Sequence, residues 1–258
     1  MTSAIYTLSS GSSGNCTYLK FGETEFLIDA GISRREIAKK LAALGTSLDR
    51  IAAIFVTHEH SDHVKGIPML AKYDKIPIYG AKLSLTALKT VDPTLFRFLK
   101  HPDTVTLGEV TVESFVTPHD SLASCGYVIS HKERRFGYAT DLGRPTDAAV
   151  DALRGCQAVI LEANYDKDML KYGCYPLFLK ERIAGNYGHL ENGVSGKFAA
   201  FLAKTGTERI LLAHLSEENN TPDKAYHAVH TILAKEQLSL SLSVAARHEI
   251  SELISIEC

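Results

Sequence analysis

The stretch VTHEHSDHVKG, residues 56–66, places His58, His60, Asp62 and His63 within six positions, directly after the apolar run AAIFV. Imidazole nitrogen and carboxylate oxygen are donors that suit zinc, with manganese and iron as alternatives. In an extended turn, residues two apart point the same way, so His58 and His60 face together. Asp62 and His63 follow at the predicted start of a helix. Further donors lie far along the chain. His119 joins His58 and His60 as a three-imidazole set with an open position. His214 joins Asp62 and His63 as a second set of two imidazoles and a carboxylate, and Asp141 bridges the two. Two divalent ions held ~3.5–4 Å apart share a nucleophile derived from water and clamp both attacking and leaving oxygens. The chemistry that follows is hydrolysis.

Four strand ends must deliver these side chains. AAIFVTHEH and ERILLAHLS are apolar runs that end in histidine, FGYATD ends in Asp141, and VESFVTPH runs into His119. Continuous apolar runs suit strands covered on both faces. Strand-like runs are predicted at 4–8, 16–21, 25–29, 51–56, 76–79, 110–116, 126–130, 135–139, 157–162, 209–213 and 241–245. Helical periodicity falls at 33–45, 62–73, 81–89, 145–153, 193–204 and 222–235. In the first of these, Ser33 caps the start, Ile37, Leu41 and Leu44 share a face, and Gly45 ends it. The result is a mixed α/β chain without a repeat or low-complexity linker.

Bulk properties narrow the class. The length of 258 residues fits one domain, 1–258, with a large core. A net charge of −2 excludes a global basic field, though not a local basic groove. Cys16, Cys125, Cys156, Cys174 and Cys258 are scattered with no CxxC pair, so they read as reduced thiols rather than a disulfide framework or thiolate site. The N-terminus lacks a signal-peptide pattern, and no run approaches the ~20 apolar residues of a membrane span. A cytoplasmic protein with no membrane partner is expected.

The segments LIDAG (27–31), THEHSDH (57–63), TPHD (117–120), YATDLG (138–143) and AHLSEENN (213–220) together resemble the metallo-β-lactamase-fold hydrolases. That resemblance implies an αββα sandwich: two mixed β-sheets flanked by helices, with a binuclear site at one edge. LSSGSSGNCTYL, LEANYDKDMLKYGCYP and GHLENG…LLAHLSEENN are similar to the WalJ (YycJ) type of single-domain members. It implies a metal-dependent nuclease, with 5′ to 3′ DNA exonuclease activity and DNA favoured over RNA as substrate. By the same resemblance His214 binds the second metal, and His189 contacts the scissile phosphate or protonates the leaving oxygen. Asp at 141, rather than Cys, fits the phosphodiesterase and thioesterase branches. Glu191 departs from the Ser usual in the group.

Several further roles are expected. Asp62 both ligates and orients or receives the nucleophile's proton. Asp29 holds a ligand imidazole through its other nitrogen. Ser13 and Asn15, on the SSGSSGN loop, turn toward a phosphate. Lys180, Arg182, Arg144, Tyr165 and Tyr187 are candidates to grip a polynucleotide. His101 and His131 read as solvated, and His227 and His230 as the rim of an amphipathic helix. Two rivals use the same residues: a hydrolase of a small phosphodiester or thioester, and a metal-binding scaffold without catalysis. An open basic groove favours the nuclease, and an apolar pocket favours the small ester.

Overall fold

The computed structural model describes residues 3–252 and 254; Cys258, counted above among the scattered thiols, lies outside the described residues. Two sheets face each other. The first runs in sequence order through β1 (Ala4–Ser9), β2 (Cys16–Phe21), β3 (Thr24–Ile28), β4 (Ile51–Phe55), β5 (Ile78–Ala81) and β6 (Phe96–Leu99). The second contains β7 (Asp103–Leu107), β8 (Val110–Val116), β9 (Cys125–His131), β10 (Arg134–Ala139), β11 (Ala158–Glu162), β12 (Arg209–Ala213) and β13 (Ser241–Val244), again adjacent in chain order. Each sheet begins with antiparallel hairpins and continues with parallel strands: β3 to β6 in one, β10 to β13 in the other.

The parallel strands need helical crossovers, and the helices cover the outer faces. On the first sheet, α1 (Arg34–Ala43), α3 (Ile67–Tyr73) and α4 (Lys82–Thr86) place Ile37, Leu41, Leu70 and Leu85 against Leu27, Ile54 and Ile78. On the second, α5 (Asp147–Leu153), α8 (Asn192–Lys204) and α9 (Pro222–Lys235) bury Leu153, Phe198, Leu202 and Val229 against Val159, Leu161 and Leu212. Between the sheets, Phe26, Phe55, Tyr127, Phe136 and Ile160 form the central core. This is the αββα sandwich. Strand β11, AVILE, is buried at every position, as expected of a strand covered on both faces.

Local chemistry sets the element ends near the site. Ser33 and Glu36 close a capping box on α1, which satisfies two N–H groups that the first turn leaves unpaired. The helix expected over 62–73 is instead two: α2 (Ser61–Val64) and α3, separated at Lys65–Gly66. The Gly66 N–H donates to the Ala30 carbonyl at 2.7 Å. A Cβ there would lie 2.2 Å from the Ile32 carbonyl oxygen. The chain leaves the helix in order to pack backbone on backbone beneath the metal-ligand turn. Two further helices, α6 (Lys167–Tyr172) and α7 (Leu177–Ala184), occupy a segment between β11 and α8 where none was expected.

Candidate metal centre

The site lies at the carboxyl ends of the parallel strands, where open α/β sheets commonly bind ligands. Asp29 follows β3, His58 to His63 follow β4, Asp141 follows β10 and His214 follows β12. His119 comes from the end of β8. Asp29, Asp141 and His214 have φ of 59°, 54° and 58°. Asp and His tolerate this left-handed region better than most residues, and the abrupt turn aims each side chain off its strand and into the space between the sheets.

The potential ligand atoms fall into four overlapping groups, each within 4.8 Å of one another: His58, His60 and His119; Asp62, His63 and His214; His58, His63 and Asp141; and Asp141, Glu162, His189 and His214. The first two match the expected ligand sets. His119 Nε2 lies 3.4 Å from His60 Nδ1. In the second group, Asp62 Oδ2 lies 3.3 Å from His63 Nε2 and 3.4 Å from His214 Nε2. Asp141 reaches both, with Oδ2 at 3.2 Å from His63 Nε2 and Oδ1 at 3.5 Å from His119 Nε2.

The far nitrogens are held from behind. His63 Nδ1 lies 2.7 Å from Asp29 Oδ2, and Asp29 also accepts from Thr57 N at 2.8 Å. His119 Nδ1 lies 3.1 Å from the Gly188 carbonyl, and His214 Nδ1 lies 3.0 Å from Glu162 Oε1. Donation through Nδ1 fixes the tautomer that leaves Nε2 as the metal-facing lone pair. Buried His58 Nε2 and Asp141 Oδ2 have no hydrogen-bond partner. Buried polar atoms are seldom left so, and here a cation would satisfy both. The donor set therefore fits divalent metal.

The electrostatics agree. Burial would lower the pKa of His63, but Asp141, Asp29 and Asp62 overcome it and hold the imidazole well above its ordinary value. His214 is likewise pushed up to about 10 against burial, by Asp141, Asp62 and Glu162. Burial pushes Asp62 up, yet His63 and His214 outweigh it and hold the carboxyl well below the usual range. His58 is held well below its ordinary value by burial and then by His63, His119 and His60. The raised values at His63 and His214 reflect the negative charge of the surrounding carboxylates, which divalent ions would offset.

Glu162 was not anticipated. It ends β11 level with Ala213 of β12, fully buried. Its Oε1 meets His189 Nδ1 at 2.8 Å and His214 Nδ1 at 3.0 Å. Its Oε2 accepts from Leu142 N at 2.9 Å and Leu190 N at 3.0 Å. The signal was present in AVILE, an apolar run ending in a carboxylate, the same pattern as the other strand ends.

Other expectations need correction. Asn15 is buried and faces inward: its Nδ2 lies 3.2 Å from Asp62 Oδ2, and its Oδ1 accepts from Gly11 N at 2.8 Å. It orients a ligand instead of meeting a phosphate in solvent. Ser13 is exposed on the same loop. Lys180 is occupied, donating to the carbonyls of Lys171 at 2.9 Å and Gly173 at 2.7 Å. His131 is buried and packs on Phe21. Tyr165 is also buried, whereas Tyr187 is exposed. Glu191 caps α8 through Gly193 N and Val194 N, so the departure from Ser preserves a capping acceptor. No helix of the described residues is long and apolar enough to cross a membrane.

Comparison with known proteins agrees with this architecture. A family model described as a beta-lactamase superfamily domain matches residues 24–215. Exodeoxyribonuclease YycJ of Bacillus anthracis is 33% identical over 233 residues, 89% of this chain and 88% of that protein. Exodeoxyribonuclease WalJ of Streptococcus pneumoniae is 32% identical over 241 residues, 91% of this chain and 90% of that one. The crystal structure of the metallo-beta-lactamase fold protein YhfI from Bacillus subtilis superposes with a TM-score of 0.75 at 17% identity, across 97% of this chain and 98% of that one. At that identity the likeness speaks for the fold alone.

Proposed function

The chain belongs to the beta-lactamase superfamily and is a metal-dependent hydrolase, and from that premise we propose that it is a DNA exonuclease working 5′ to 3′ with two zinc ions. The observation that carries the reading is a double ligand array in a chain that aligns over 89% and 91% of its length with proteins named exodeoxyribonucleases. His58, His60 and His119 would hold one ion, Asp62, His63 and His214 the other, and Asp141 would bridge them. The imidazole-rich donor set supports zinc ahead of manganese or iron. Free thiols at Cys16, Cys125, Cys156 and Cys174 support a cytoplasmic setting.

When bound, the ions supply Lewis acidity, which makes water nucleophilic near neutral pH. The protein supplies the proton traffic. Asp62 has 21% of its side chain exposed, while Asp29, Asp141 and Glu162 have 2% or less. Asp120 is also open, 28% exposed, but is engaged by Arg182; Asp62, within the second ligand group, is the carboxylate we assign to receive the nucleophile's proton. His189, 20% exposed, donates Nδ1–H to Glu162 and keeps Nε2 for the substrate. As the imidazolium, with a second proton on Nε2, it protonates the departing oxygen from that atom and offsets charge on the phosphate.

The test is metal-dependent degradation of end-labelled single- and double-stranded DNA, RNA and a small chromogenic phosphodiester, with Asp62→Ala as the blank. Stepwise release of mononucleotides from the 5′ end of DNA is the expected result. His189→Ala should slow turnover about 10²–10⁴-fold, the range of a lost general acid, with metal content intact. Cleavage of the small diester alone would sink the nuclease reading, and loss of metal in His189→Ala would make that residue structural.

A further inference from the structure

Helix α7 carries two cations, Lys180 and Arg182, and they differ in what they touch. Lys180 is spent on the α6–α7 turn. Arg182 turns the other way, and its Nε donates to Asp120 Oδ2. The other carboxylate oxygen, Asp120 Oδ1, lies 3.5 Å from His119 Nε2, the metal-facing atom of that imidazole. A single carboxylate thus stands between the guanidinium and the first ligand group. The Nη1 and Nη2 groups of Arg182 make no hydrogen bond to any described residue, and 57% of the side chain is exposed.

The end of the helix that carries this arginine connects to the ligand residues. His189 N donates to the Ile183 carbonyl at 2.9 Å, and the Gly188 carbonyl receives His119 Nδ1 at 3.1 Å. The end of α7 is therefore tied to the ligands. An exposed arginine ordinarily loses rotamer freedom when it binds. Asp120 has already fixed this one, and a planar fork remains open beyond it. Such forks match phosphate oxygens two at a time, which an ammonium does not.

We infer that Arg182 is a specificity-determining residue that binds the phosphate neighbouring the scissile one, so that the site favours a polynucleotide over a diester with a single phosphate. The scissile phosphate must meet the metal-facing atoms of His119 and its partners. Asp120 stands between the guanidinium and His119 Nε2, so Arg182 is set apart from the scissile position and left free for a neighbouring phosphate. Exposed Tyr187, five residues on from Arg182, offers a ring for a base of the same strand. Asp120 is a positioning residue in this arrangement. The inference rests on the nuclease reading.

The experiment compares kcat/KM for a labelled DNA oligonucleotide and for bis(p-nitrophenyl) phosphate, using metal-loaded wild type, Arg182→Gln and Arg182→Lys at several salt concentrations. In Arg182→Gln the ratio of oligonucleotide to small-diester kcat/KM should fall about tenfold or more, the scale of a lost charge-assisted contact, mainly through KM. The salt slope for the oligonucleotide should fall by about one, and Arg182→Lys should restore the slope but only part of the ratio. An unchanged ratio and slope overturn the inference. Equal losses on both substrates with loss of metal also overturn it, because Arg182 would then act by supporting His119 through Asp120. Wild type that cleaves the small diester and no oligonucleotide overturns the nuclease reading itself.

Discussion

Replacing Glu162 with Gln keeps the shape of the side chain and removes half of its accepting capacity. The carboxylate receives four hydrogen bonds, two from the Nδ1 atoms of His189 and His214 and two from the backbone N–H groups of Leu142 and Leu190. A glutamine oxygen can serve one pair, which leaves its NH₂ donors facing the other pair of donors. If the oxygen stays with the backbone, the imidazoles lose their partner, and that of His214 loses it in a buried place. A hydrogen bond to a charged group is worth about 1.5–3 kcal/mol. Loss of a partner behind a ligand histidine typically costs about 10–100-fold in metal affinity, or about 1.4–2.7 kcal/mol; the two routes agree. The ion held by Asp62, His63 and His214 should therefore weaken by that factor. The group His58, His60 and His119 makes no hydrogen bond to Glu162 and should keep its ion. Chelator competition with metal counting would read this as a fall from two tight ions toward one, in a variant whose circular dichroism is unchanged. Both ions retained at wild-type affinity, or loss beginning with the His58 group, would refute the reasoning.

Gly31→Ala should expel metal and destabilise the fold by about 1–3 kcal/mol or more, because the new Cβ would fall 1.6 Å from the Asp62 carbonyl oxygen and 2.7 Å from Asn15 N; a folded variant with normal Tm and metal content would contradict this. Chelation should lower Tm by about 2 °C or more, since His58 Nε2 would be stranded at a cost of about 1–3 kcal/mol and Asp141 Oδ2 would keep only the His63 imidazole, 3.2 Å away. Zinc should restore it, and a Tm indifferent to chelator would count against metal at these atoms. Thiol labelling at pH 8 should mark exposed Cys174 quickly and spare Cys16, Cys125 and Cys156 until unfolding, as peptide mapping can tell. Burial pushes the thiols of Cys125 and Cys156 up to about 12 and about 11. Above about pH 8.5 the unfolded chain releases these protons and the folded one does not, so stability should decline as pH rises further. Rapid labelling of Cys125 in the native protein would show that the inter-sheet core is open.

What could be read from the sequence, and what could not, divides along a physical line. The ligand turn was legible because HxHxDH packs its donors locally, and because apolar strands leave a polar residue at the end conspicuous. The inner strands were legible for the same reason: AVILE, and RILLA after its exposed Arg209, are buried on both faces and carry almost no competing signal. Strands β6 and β7 were missed because, at the sheet edges, they bury little. FRFL has one buried residue and DTVTL none, so a half-wet strand there resembles a loop. Helix α7 has no buried residue either, and a helix without a buried stripe leaves no clear period. Glu162 and Asn15 were misjudged for a different reason. Each acts through register: Glu162 because β11 pairs with β12 so that it stands beside His214, and Asn15 because the Gly31–Asp62 backbone contact brings its loop beneath the metal turn. Pairing of distant strands is not written in any one segment. The donors that touch metal thus announce themselves by type and spacing, while the residues that aim those donors appear only once the two sheets are laid side by side.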